Sequence, residues 1–145
     1  MVHLIARSCR APDNFFRWHD SGDLQGTWHL SNIVKVCELT PEVVHWLPTR
    51  EYGMVESHLA SGNVFPPNLT VRLSGHMIDT EPVLPPALQG FPTSTVSTVS
   101  QRKSLQIVEG KGSVECRAVE ARDNKCGPCR ACWEPLVTNV NYPQH

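Results

Sequence analysis

Val43-Val-His-Trp-Leu47, then Tyr52, Val55 and Leu59, then Leu69-Thr-Val-Arg-Leu73 make up the stretch whose reading decides the fold. The first run is short, apolar and β-branched, as a buried strand requires, and Thr49-Arg-Glu51 closes it. Tyr52, Val55 and Leu59 recur at the three- and four-residue spacing of one helix face, and Gly62-Asn63 can end that helix in a left-handed cap. Pro66-Pro67 introduces the last run, in which Leu69, Val71 and Leu73 alternate, and Ser74-Gly-His76 ends it. Strand, helix and strand joined by short loops predict a right-handed crossover and a parallel pair.

The same unit precedes it. Phe15-Phe-Arg-Trp-His19 is a short aromatic run stopped by Asp20-Ser-Gly-Asp23. Leu30, Ile33, Val34 and Cys37 then share one helix face, and Pro41 ends that helix after Thr40. Residues 1–79 therefore predict a βαβαβ core. The fold class is α/β: a small parallel sheet or partial barrel, followed by an irregular, cysteine-rich, metal-binding tail.

Beyond residue 79 the pattern changes. Residues 80–113 read as a connection, with Pro82, Pro85, Pro86 and Pro92 precluding a regular helix. Within it Ser94-Thr-Val-Ser-Thr-Val-Ser100 suits either a fourth strand or a linker, and Gln101 to Gly112 a hairpin or loop. Residues 114–145 form the tail, packed on the core. Three or four parallel strands cannot close a barrel, so the open edge requires cover from the tail or from a second copy in a homodimer.

The tail carries the densest chemistry. Cys126-Gly-Pro-Cys129-Arg-Ala-Cys132, with Cys116 upstream, holds four of the six cysteines. The N-terminal residues contain no signal-peptide core and no later stretch could span a bilayer, so the expected setting is the cytoplasm, where clustered thiols bind metal more often than they pair. Two successive Cys-x-x-Cys intervals and one remote cysteine resemble the sequential grip on a [4Fe–4S] cluster. Zn2+ held by Cys116, Cys126, Cys129 and Cys132 is the alternative, with His145 able to replace Cys116. Cys37, on an apolar helix face, reads as packing.

Ligands of parallel α/β folds bind at the carboxyl ends of the strands. The turns expected there carry Asp20, Asp23, Arg50, Glu51 and His76 as candidate catalytic residues, with Ser21, Gly22 and Ser74 assigned to cofactor binding; that mixture suits a phosphate, a carboxylate or a metal, and a small anionic ligand is the expected partner. The structural alternatives are plain: Asp20 and Asp23 shaping a turn or capping a helix, Arg50 and Glu51 forming a surface ion pair, and His19 and His45 serving as core histidines.

Composition bounds the partners. With 145 residues, 40% hydrophobic and 19% charged, the chain has enough apolar material for one core, and its formal charge of −1 gives no footprint for nucleic acid.

Phe16-Arg-Trp-His-Asp-Ser-Gly-Asp-Leu-Gln25, Trp46-Leu-Pro-Thr-Arg-Glu51 and Pro67-Asn-Leu-Thr-Val-Arg-Leu-Ser74 resemble the core of the phage and bacterial family called gene product 88. The ending, Cys126 to Trp133 with Tyr142-Pro-Gln-His145, is similar to that family's as well. The resemblance implies a phage- or mobile-element-type protein with clustered cysteines and a partial barrel. Longer members carry a further cysteine-rich segment before the His-Asp-Ser-Gly-Asp motif, where this chain has only Cys9. The family's half-barrel character resembles radical S-adenosylmethionine enzymes, but the Cys-x3-Cys-x2-Cys spacing those enzymes use is absent here. The resulting expectation is a metal-binding phage-type protein with a polar site at the strand ends. The alternatives are a zinc-stabilised module acting on a phage or host protein and, more weakly, a fragment of a radical enzyme.

Overall fold

The computed structural model describes residues 1–10, 12–80, 82–89, 95–100, 112–118 and 126–143. Within them a six-stranded, curled, wholly parallel sheet forms a half-barrel. Its strands are β1 (Phe15–Arg17), β2 (Val44–Thr49), β3 (Leu69–Ser74), β4 (Thr95–Ser100), β5 (Ser113–Glu115) and β6 (Asn139–Pro143), in the spatial order β1-β2-β3-β4-β6-β5. Helices α1 (Val2–Ser8), α2 (Thr27–Glu38) and α3 (Tyr52–Ala60) accompany it.

The βαβαβ core forms as its periodicity requires. Leu30, Ile33, Val34 and Cys37 of α2 and Val55 of α3 are buried against Leu47, Leu69, Val71 and Leu73. Burying each Leu, Ile or Val contributes about 1.5–3 kcal/mol. Gly62, at φ +77°, supplies the left-handed residue after α3, and its N–H reaches Leu59 O at 2.9 Å. At the end of α2 the Asn68 amide donates to the carbonyls of Cys37, Thr40 and Val43 at 3.0, 3.1 and 2.9 Å, satisfying groups the helix end leaves open. Pro48 sits inside β2 without breaking the ladder. Odd-numbered β2 residues bond toward β3, so Pro48 faces the β1 side, where pairing has already ended at Arg17 opposite Trp46.

Four features differ from the sequence reading. The first strand stops at Arg17, because the left-handed His19 (φ 56°) turns the chain. Val2–Ser8, to which the sequence reading assigned no element, is a helix with Ile5 buried. β3 is buried along nearly its whole length rather than on alternate residues, because both faces are covered. The tail is not irregular: it contributes β5 and β6, and β6 pairs with β4 from Val96↔Asn139 to Ser100↔Pro143. The tail, not a second copy, therefore covers the β4 edge. The Thr95–Ser100 segment is a strand, whereas the Gln101 to Gly112 segment lies outside the described residues except for Gly112. No helix among the described residues is long and apolar enough to cross a membrane.

Candidate functional site

The face of the sheet opposite the helices carries Trp46, Thr70, Arg72, Val140 and Tyr142. A short 3-10 turn, Ala131–Trp133, lies across it and brings Cys132 with it. Arg72 explains why that turn stays there. Its side chain is 0% exposed, and its guanidinium donates five hydrogen bonds: Nε to Cys132 O at 2.8 Å, Nη1 to Val137 O at 2.9 Å and Val96 O at 3.4 Å, Nη2 to Ala131 O at 2.7 Å and Glu134 O at 2.9 Å. Thr70 Oγ1 adds a bond to Trp133 O at 2.8 Å, and Trp133 Nε1 donates to Phe16 O at 3.0 Å. Every carbonyl from 131 to 134 is thus tied to a strand, and all the hydrogen-bonding acceptors of the guanidinium are backbone oxygens. Burial presses the Arg72 pKa downward, opposed by the nearby Cys132, Tyr142 and Glu134.

Beside this clamp lies a cavity of about 370 Å3, lined by Cys116, Cys126, Cys129 and Cys132 together with Val114 and Val140. The four cysteines predicted from spacing therefore face one space. They are not equivalent. Cys116 directly follows β5, and its N–H is held by Asn141 O at 2.7 Å. Cys132 is buried, and its Sγ lies 3.0 Å from Tyr142 Oη. Cys126 and Cys129 are exposed on a turn closed by Cys129 N–H to Cys126 O at 3.1 Å, which Gly127 makes accessible at φ +55°. Burial pushes the Cys132 thiol up to about 11, with the Tyr142 hydroxyl and Arg72 acting against it, and raises the Tyr142 phenol as well. Among the described residues no disulfide joins any of the six cysteines. Among the described residues no three His, Cys, Asp or Glu side chains converge closely enough to hold an ion as they stand. His145 lies outside the described residues.

The parallel strands place the turns after β1, β2 and β3 on the same sheet edge as Cys116. The side chains predicted there have different roles. Asp23 is engaged by the chain itself: Oδ1 accepts from Thr49 Oγ1 at 2.5 Å and Leu24 N at 2.7 Å, and Oδ2 from Arg50 N at 2.7 Å. Glu51 N in turn donates to Thr49 Oγ1 at 3.1 Å, so this carboxylate organises the start of α3. Replacing Asp23 with alanine is expected to lower unfolding stability by about 1–3 kcal/mol, read by urea denaturation. Ser74 is likewise occupied: its hydroxyl accepts from Ser97 Oγ at 3.0 Å, and its carbonyl from Tyr52 Oη at 2.7 Å. His76 is exposed and packs edge-on to Tyr52, with ring centroids 4.7 Å apart. Asp20, Ser21, Gly22 and Arg50 are exposed, and Glu51 is half-buried.

Sequence reasoning took His19 for a core histidine, whereas it is half-buried just beyond β1, and it did not single out Arg72 on the sheet face. His19 stands 5.2 Å from His29 between ring centroids, and neither of its buried ring nitrogens has a partner among the described residues. Burial, and secondarily His29, lower its pKa, while Asp23 opposes. Its position just beyond β1 was the signal. Arg72 was missed because an arginine between apolar strand residues reads as the solvent side of a strand. His45 is a core residue, 0% exposed, bonded through Nε2 to Thr40 Oγ1 at 2.9 Å.

The fold and this site define a parallel α/β half-barrel protein with a thiol-lined cavity opposite its helices. A family model described as gene product 88 matches residues 1–135, and the chain belongs to that family. Neither the curated proteins nor the solved structures contain a match to it.

Proposed function

We propose that this gene product 88 protein binds a metal through thiolates, with Cys116, Cys126, Cys129 and Cys132 as the ligands and either an iron–sulfur cluster or Zn2+ as the guest. The observation that carries this reading is the shared cavity: four soft donors line one space, three from the run 126–132 and one, Cys116, from the end of β5. Two of them are held by the sheet, and two sit on a Cys-x-x-Cys turn at the surface, so modest closure of that turn would complete the set. The charge of the surroundings agrees. Four thiolates around Zn2+ or a cluster carry net negative charge, and Arg72 places a buried cation behind Cys132.

The ligand set supplies binding, and the chemistry the metal would bring is structural locking for Zn2+ or electron transfer for a cluster. The side chains at the strand ends, exposed Asp20, Arg50 and His76 with half-buried Glu51, are where a small anionic ligand or a phage or host protein would meet the same edge. Asp23 and Ser74 support that edge from within.

Anaerobic purification followed by metal and sulfide analysis tests the reading. The expected result is stoichiometric zinc, or iron with sulfide, that protects Cys126 and Cys129 from alkylation. Serine replacement of Cys126, Cys129 or Cys132, one at a time, should deplete the metal. Undiminished metal in all three variants would overturn the assignment.

A further inference from the structure

Cys132 is fixed at both ends. Its peptide is held by the Arg72 guanidinium, Nε to Cys132 O at 2.8 Å, and its sulfur lies 3.0 Å from the hydroxyl of Tyr142 on β6. Val140 and Tyr142 project from β6 on the same face, so the hydroxyl comes from a rigid, paired strand rather than from a loop. Either group can donate while Cys132 is a thiol, but a Cys132 thiolate carries no proton, so in the thiolate site the phenol hydroxyl is the donor and the sulfur the acceptor. A hydroxyl in a largely apolar cluster has little reason to be there for packing alone, since phenylalanine would fill the same space.

We infer that Tyr142 is the positioning residue of the thiolate site: its hydroxyl donates to Cys132 Sγ and holds that sulfur at the cavity wall as the anchor ligand. This rests on the thiolate reading proposed above. Cys132 and Cys116 would be the ligands held by the sheet, and Cys126 and Cys129 the ligands on the surface turn. With a metal bound, the Tyr142 hydroxyl would remain the hydrogen-bond donor to the Cys132 sulfur. Groups in such an outer layer typically change metal affinity by about 10–100-fold.

Anaerobic titration of the full reduced chain with Co2+, a spectroscopic substitute for a soft divalent metal, tests this. The wild type is expected to develop sulfur-to-cobalt charge-transfer absorption, and Cys132→Ser to lose most of it. Tyr142→Phe should bind about 10–100-fold more weakly, with a displaced charge-transfer band and a melting temperature without metal close to the wild type's. Equal affinity and an unmoved band in Tyr142→Phe would overturn the role of Tyr142 while leaving the thiolate site intact. Unaltered binding by Cys132→Ser, or no binding by the wild type, would overturn the thiolate reading and this inference with it. If Tyr142→Phe does not fold, near-ultraviolet difference spectra of the wild type on Zn2+ loading decide: a tyrosine band supports the contact, and its absence removes it.

Discussion

Replacing Arg72 with methionine is expected to lower the unfolding free energy by about 3–5 kcal/mol, the largest effect of any single substitution considered. Methionine fills much of the same volume, so the loss isolates the guanidinium. The five carbonyls of Val96, Ala131, Cys132, Glu134 and Val137 lose a shared donor in a place water reaches poorly. Against a typical total stability of about 5–15 kcal/mol, such a loss releases the 131–134 segment or the whole fold. Thr70→Val, which removes only the bond to Trp133 O, should cost about 1 kcal/mol. Urea denaturation of the two variants checks the contrast; an Arg72→Met protein within about 1 kcal/mol of the wild type would mean that the tail docks by other means. Arg72→Lys should fall between, because an ammonium keeps the charge but cannot span five acceptors.

Acid should destabilise the fold well before its carboxylates titrate, and His45 is the main reason. Thr40 Oγ1 donates to Val36 O at 2.8 Å, so it must accept from His45 Nε2–H, which leaves Nδ1 as a bare buried nitrogen with no partner among the described residues. A second proton there would place a charge in a dry site against the Trp18 ring, 5.9 Å away between centroids. Burial accordingly lowers the His45 pKa to about 4, with Glu42 opposing weakly. Because the folded value lies below the unfolded one, the unfolded chain binds the proton first. Stability is therefore complete above the ordinary histidine pKa of about 6.5 and is lost as pH falls from there to about 4, on the order of 3 kcal/mol in total. His19 and His58, also lowered by burial, act in the same direction. His45→Phe should flatten the pH dependence across that window even if it lowers stability at neutral pH. An unchanged slope between pH 6.5 and 4 in that variant would assign the acid sensitivity elsewhere.

The two largest effects fall on opposite faces of the sheet, and only one of those faces was readable beforehand. The helix face followed from periodicity: Leu30, Ile33, Val34 and Cys37 were placed together, and they are buried together. The burial of Cys37, whose thiol is pushed up to about 12, agrees with its reading as a packing residue. The other face escaped because its covering layer is distant in sequence. Nothing near Arg72 indicates that carbonyls some sixty residues later will surround it. The strand-end turns were located correctly, but residue type alone did not separate Asp23, committed to Thr49 and Arg50, from exposed Asp20.

The amino-acid sequence by itself determined the βαβαβ core, the family, and the clustering of four thiols in the tail, because each depends on local spacing: helix and strand periods, turn residues, and Cys-x-x-Cys intervals. Only the tertiary structure decided that the tail completes the sheet with β5 and β6. It also decided that Arg72 is a buried clamp and not a surface charge, and that Cys132 is fixed by Tyr142 while Cys126 and Cys129 stay on the surface. The physical reason is that strand pairing and the hydrogen bonds of a buried guanidinium join residues far apart in the chain. Their partners are set by the closing of the sheet, which no local pattern encodes.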